Sequence, residues 1–246
     1  MSLNKLHKQL SKPEISPSNT KLRAYTPVLL SDSKGIKLKN RVFSDHPVTQ
    51  HIQWWCKGGE TFQNRYDWLK ANLSSKLTTT GNIWLYVWLG TCNLTRKDGR
   101  YISIRSTDNS TVDKCVEYIE KIIKLIKEYQ NNKISILEIP VYSISKYNKS
   151  LRHSSPEQFE SQDKQLEEQI HTLNSYIRNI NKALGVYSLQ FTTDIQNHRK
   201  VKAHKHPENR NYFNFELYSD GLHPGHTLAR YWLRKISNQM SRDCWK

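Results

Sequence analysis

The apolar positions of this chain fall into short solid runs separated by longer stretches in which they recur every three or four residues. Thr26–Leu30 is a short buried run, and "HIQWWC" at 51–56 is a second one, closed by Gly58-Gly59. The clearest is "NIWLYVWLG" at 82–90. Ile83, Leu85, Val87 and Leu89 share one face, and Trp84, Tyr86 and Trp88 share the other. A strand apolar on both faces belongs in the middle of a parallel sheet covered by helices on each side. "KISILEIP" at 133–140 and "GVYSLQFTTD" at 185–194 read as the last two strands.

The spaced stretches have helical period. "GETFQNRYDWLKANLS" places Phe62, Tyr66, Trp68, Leu69 and Leu73 at helical spacing. In Thr111–Tyr129 the stripe is Val112, Cys115, Val116, Ile119, Ile122, Ile123 and Ile126, opposite a face of Lys and Glu. A long helix is predicted from Pro156 to Leu184, with Pro156 in its first turn and Gly185 at its end. "HTLARYWLRKI" at 226–236 closes the series. Alternating strands and helices predict a three-layer α/β/α sandwich, flavodoxin-like, on a parallel sheet of about five strands. Residues 1–24 are polar and basic and read as a disordered tail. The domain then spans 25–237, and 238–246 form a C-terminal tail.

Composition adjusts this picture. The 246 residues suit one domain, and a hydrophobic content of 36% implies a modest core with long polar loops. The formal net charge of +16 favours a polyanionic partner, nucleic acid or an acidic lipid surface, met through the basic tail and loops. Cys56, Cys92, Cys115 and Cys244 form no CxxC pair and match no zinc spacing. His204 and His206, with His198 nearby, read as a solvated basic loop before a metal site, and no metal or organic cofactor is implied. The polar N-terminus holds no apolar leader segment, and no run of about 18 apolar residues appears. A reducing intracellular compartment is the expected location.

In an open α/β sheet, reactive groups collect at the carboxyl ends of the strands. There the sequence places Asp32-Ser33, then Gly58-Gly59, then "GTCN" at 90–93, and, before the last helix, "SDGLHPGH" at 219–226. Alone, Ser33 would read as the cap of the first helix, and Asp220 as the cap of the last. These four blocks in this order resemble the SGNH hydrolases, also called GDSL-type esterases and lipases, over about residues 25–237. The resemblance implies a serine esterase releasing an acyl group, acetyl for example, through an acyl-enzyme. It implies Ser33 as nucleophile, His223 as base, Asp220 as the acid orienting it, and Gly59 in the oxyanion hole. Two positions depart from the family pattern. Ser31 replaces the usual glycine before Asp-Ser, and aligning "GTCNL" with the usual "GTNDL" puts Cys92 at the oxyanion asparagine with Asn93 beside it. A thiol is a weak donor, so the expectation is that Asn93 reaches in, with Cys92 the alternative. The competing reading is an SGNH-like module of weak or no activity that binds nucleic acid or anionic membrane through its basic surface.

Overall fold

The computed structural model describes residues 1–14, 22–41, 47–198 and 211–246. In chain order the elements are α1 (Leu3–Leu10), β1 (Thr26–Ser31), α2 (Ser33–Arg41), β2 (Gln53–Cys56), α3 (Phe62–Thr80), β3 (Ile83–Trp88), α4 (Thr91–Leu94), β4 (Thr95–Asp98), β5 (Tyr101–Ile104), α5 (Ser110–Lys127), β6 (Lys133–Ile136), α6 (Ile144–Ser150), α7 (Glu160–Ala183), α8 (Thr192–Ile195), β7 (Gln196–His198), β8 (Asn211–Phe213) and α9 (His226–Cys244).

All six residues of β1 are buried, and β3 is buried at five of its six positions, as the doubly apolar pattern requires. They are the two inner strands of a parallel sheet of order β2-β1-β3-β6. Leu30 pairs with Trp55 on one side and Val87 on the other, so β1, β2 and β3 end level and present their carboxyl ends together. The helices follow the alternation of side chains. On one face Trp88 packs against Trp232 of α9, and the Tyr86 hydroxyl donates to Asp243 of the same helix at 2.8 Å. There α2 and α1 lean on α9, while α3, α5 and α7 pack in series. Among the described residues no helix is long and apolar enough to cross a membrane.

Three sequence expectations need correction. The sheet has four strands, and residues 185–194 do not form a fifth. Asparagines of α7 occupy the outer edge beyond β6 instead. The Asn181 side chain accepts from Ile136 N–H at 3.0 Å and donates to Ile136 C=O at 2.7 Å. Asn174 does the same to Ile139, at 2.8 Å each way. Each primary amide supplies the donor and acceptor that a paired strand would bring. Seven residues, two helical turns, separate the two on one face. Leu189 and Phe191 look like strand residues in sequence because they are buried, but Phe191 packs on Trp88 and Trp232 without joining a ladder.

The other two corrections concern the ends. Part of the expected disordered tail is ordered, since α1 docks on α9. Leu6 is fully buried, and the Arg234 guanidinium donates to the carbonyls of Gln9, Leu10, Lys12 and Pro13 at 2.5–3.0 Å. A cation on the last carbonyls of a helix satisfies groups that have no intrahelical partner. Residues 238–246 are not a tail. They continue α9 to Cys244, and Lys246 exchanges backbone hydrogen bonds with Leu22, 3.1 Å each.

Replacing Asn181 by Leu keeps the bulk but strips both partners from Ile136. We expect a loss of about 2–5 kcal/mol, the cost of leaving two buried backbone groups unpaired. Urea denaturation checks this, and a change below about 0.5 kcal/mol would refute the edge-sealing role.

Candidate active site

The turn from β1 into α2 uses every residue of Ser31-Asp32-Ser33-Lys34-Gly35. The Ser31 hydroxyl donates to Trp88 C=O at 2.8 Å, tying the end of β1 to that of β3, and accepts from Gly35 N–H at 3.2 Å. Asp32 is fully buried and caps α2: its Oδ1 accepts from Lys34 N–H at 2.9 Å, and its C=O receives the first helical bond from Ile36. The capping role that Ser33 could have taken is thus filled by its neighbour, leaving Ser33 Oγ free. Lys34 is also sealed from solvent. Its Nζ lies 2.6 Å from Asp32 Oδ2 and 2.5 Å from Thr91 Oγ1, so the ion pair reaches across to the loop after β3. Gly35 is required by space, because a Cβ there would stand 2.6 Å from both Cys56 Sγ and Ser31 Cβ.

The second half of the site is the loop before α9. It closes on itself through Ser219 N–H to His223 C=O at 2.8 Å and Gly225 N–H to Leu217 C=O at 2.9 Å. Gly221 sits at φ +86°, and a Cβ there would lie 2.6 Å from Lys146 Cβ, so both the turn and the close approach of α6 demand glycine. Asp220 Oδ1 accepts from the backbone N–H groups of Leu222 (3.0 Å) and His223 (2.7 Å), while Oδ2 lies 2.7 Å from His223 Nδ1. With Nδ1 donating to that carboxylate, Nε2 is left as an acceptor, 3.0 Å from Ser33 Oγ. Burial alone would raise the Asp220 pKa. The hydrogen bonds and charge of His223, with the Leu222 N–H, outweigh it and hold the carboxyl below its ordinary value.

Ser33, His223 and Asp220 therefore stand in one hydrogen-bonded line, although Ser33 and His223 are 190 residues apart in sequence. The line opens into a cavity of about 530 Å³ whose lining includes Ser33, Gly58, Gly59, Cys92, Tyr147 and His223. Gly59 lines the same cavity as Ser33, and a Cβ on Gly58 would lie 4.0 Å from Ser33 Cβ. Of the two residues after β3, Cys92 lines this cavity and Asn93 does not. Asn93 faces a separate hollow, and its Oδ1 accepts from Phe62 N–H at 3.0 Å, which fixes the start of α3. Asn93, expected to reach in, is thus turned away from this cavity, and Cys92 is the one of the two that lines it. Register decides this: α4 is a single turn, so adjacent residues point about 100° apart. Burial, with Asp32 adding to it, pushes the Cys92 thiol up to about 11, so it stays protonated at neutral pH.

Supporting residues escaped the sequence reading. Arg105 donates to the carbonyls of Cys92, Asn93 and Thr95 at 3.0–3.2 Å and staples the loop after β3. Tyr142 and Asn148 do not line the cavity. The Tyr142 hydroxyl donates to Thr91 C=O at 3.1 Å, and Asn148 pairs with both backbone groups of Ile102. Tyr147, Arg96 and Lys97 do line it. Arg96 and Lys97 lie on the β4–β5 hairpin, whose turn carries Gly99 at φ +58°. An Asp-Gly between alternating residues signals a hairpin, and that signal was present at 98–99. His204 and His206 lie outside the described residues, as does the side chain of His198. A larger hollow of about 680 Å³ lies behind the Asp220 loop and includes neither Ser33 nor His223.

No protein-family model matches this sequence, and no curated protein matches it in sequence. Solved structures do match in shape. A lipase/acylhydrolase from Enterococcus faecalis superposes with TM-score 0.56 at 14% identity, covering 90% of this chain and 97% of the other. A GDSL-like lipase from Bacteroides thetaiotaomicron gives 0.56 at 13% identity, covering 97% and 94%. The fold is that of the SGNH hydrolases. A carbohydrate acetylesterase from Sinorhizobium meliloti shares it, with TM-score 0.52 at 11% identity over 89% and 99% of the two chains. In this SGNH fold the loops after β1 and β3 diverge where the strand order reverses, which opens the crevice that Ser33 and Cys92 line.

The depressed Asp220 pKa has a definite sign in stability. A carboxyl whose folded pKa lies below its unfolded value, about 3.9, stabilises the fold fully above that value and loses this contribution as pH falls through the folded pKa. The melting temperatures of wild type and Asp220→Asn should differ at neutral pH and converge as pH drops below about 4. A gap that stays constant with pH would contradict the assignment.

Proposed function

We propose that this protein is a serine hydrolase of carboxylic esters. The observation that carries the reading is the Ser33–His223–Asp220 line, 3.0 and 2.7 Å per link, opening into a cavity at the carboxyl end of the sheet. Its SGNH fold, shared with a lipase/acylhydrolase and a carbohydrate acetylesterase, is consistent with that chemistry.

Ser33 Oγ attacks the ester carbonyl while His223 Nε2 takes its proton. Asp220 holds the ring in the productive tautomer and stabilises the imidazolium without being protonated itself. The tetrahedral oxyanion faces the backbone N–H groups of Ser33 and Gly59. Collapse expels the alcohol, which receives the proton from His223, and leaves an acyl-Ser33. Water then attacks the acyl carbon with His223 again as base, releasing the carboxylic acid and restoring Ser33. The third oxyanion donor, an amide in the family pattern, is here the weak thiol donor of Cys92.

A second reading rests on charge. At +16 the chain would also be held to a polyanion through its basic surface, in contacts that weaken steeply with salt as counterions are released. The two readings are compatible, because salt should hardly alter hydrolysis of a small neutral ester.

Wild type should hydrolyse p-nitrophenyl acetate and label with a fluorophosphonate. Ser33→Ala should lose labelling and fall in kcat by roughly 10⁴-fold or more. A folded wild type that neither hydrolyses nor labels would sink the hydrolase reading. Cys92→Asn should raise kcat about tenfold or more, since one oxyanion donor is worth about 10²–10³ when fully aligned. A folded Cys92→Asn no faster than wild type would show that the hole does not draw on this position.

A further inference from the structure

Among the described residues, the cavity at Ser33 is lined by three Lys and Arg side chains and no carboxylate. Arg96 and Lys97 come from β4 and Arg105 follows β5, so all three belong to one hairpin and its exit. Three carboxylates around the site are already committed: Asp220 to His223, Asp32 to Lys34, and Glu60 to Lys57 and Arg65, while Asp98 at the hairpin tip is exposed and does not line the cavity. Among the described residues none of the three lining cations enters an ion pair. Arg105 has a structural duty on the carbonyls of Cys92, Asn93 and Thr95. Among the described residues Arg96 commits its Nε to Ser103 Oγ at 3.3 Å and leaves its remaining guanidinium donors unbonded. Lys97 is exposed and its ammonium has no protein acceptor among the described residues.

Runs of surface charge are usually no more than solvated. This one differs in opening onto the nucleophile, within a cavity whose other walls include Ile102, Leu222 and Tyr147. Such a cavity puts apolar walls and cations around one nucleophile. We propose that the substrate is an anionic ester, a carboxylic ester bearing a negatively charged group, which Arg96 and Lys97 hold while Ser33 attacks. The proposal rests on the serine-hydrolase reading above and names its substrate class.

Two matched pairs of esters test it. The p-nitrophenyl monoester of adipate against p-nitrophenyl hexanoate varies charge in the acyl half. 4-Acetoxybenzenesulfonate against 4-acetoxybenzenesulfonamide varies it in the alcohol half. We expect the anionic member of one pair to be favoured about tenfold in kcat/KM at low salt, an advantage that shrinks as salt screens the charges. The pair that shows it assigns the anion to the acyl or the alcohol half. The ratio should fall toward one in Arg96→Gln/Lys97→Gln. It should survive in Lys124→Gln/Lys127→Gln, which removes the same net charge from α5 away from the cavity. Preference for the neutral member in both pairs, or a preference untouched by Arg96→Gln/Lys97→Gln, would overturn the proposal while neutral-ester turnover still upheld the hydrolase. Absence of turnover on all four esters together with no fluorophosphonate labelling of Ser33 would remove the hydrolase reading itself, and this proposal with it.

Discussion

Asp32 and Lys34 form an ion pair sealed beneath Ser33, and the geometry of the site hangs on it. A buried pair of this kind adds little net stability, because desolvating both ions offsets most of their attraction, yet removing one partner would strand the other at a cost of about 3–5 kcal/mol. Its value here is positional. The same carboxylate caps α2 through its other oxygen, and the same ammonium reaches Thr91 on the loop after β3. One interaction therefore orients the helix that presents Ser33 and the loop that presents Cys92. Because Asp32 takes the cap, Ser33 is spared for His223.

The outer edge of the sheet is managed by similar economy. Ile136 and Ile139 would expose backbone donors and acceptors beyond the last strand, and the side-chain amides of Asn181 and Asn174 meet them. Asn148 does the same for Ile102 on β5, which steadies the hairpin against α6. Edge strands with unpaired backbone invite association with other chains. A helix carrying amides at two-turn spacing closes the edge without a fifth strand. The hairpin held in this way is the element that brings Arg96 and Lys97 to the cavity, so a device of the scaffold also shapes the charge of the site.

Periodicity along the chain sufficed for the parallel α/β architecture, because a strand apolar on both faces and helices with one apolar stripe have few ways to bury themselves. It also marked, by breaks in the apolar runs, the ends of β1 and β2, after which Ser33 and Gly59 stand, while Asp220 and His223 lie in the loop before α9. What it could not decide were questions of direction and partnership. Whether Cys92 or Asn93 turns toward Ser33 depends on the phase of a single helical turn. Whether 185–194 pairs as a strand depends on competition from asparagines elsewhere in the chain. Whether 1–14 is ordered depends on Arg234 and a packing surface on α9. Each is settled by groups distant in sequence, and hydrogen bonds and close contacts between distant residues leave no period along the chain. The residue types of the site and the order of its blocks were thus determined by the sequence alone. The tertiary structure decided which oxygen caps, which thiol faces the cavity and which cations surround it, because those outcomes follow from atoms brought within about 3 Å of one another only when the chain is folded.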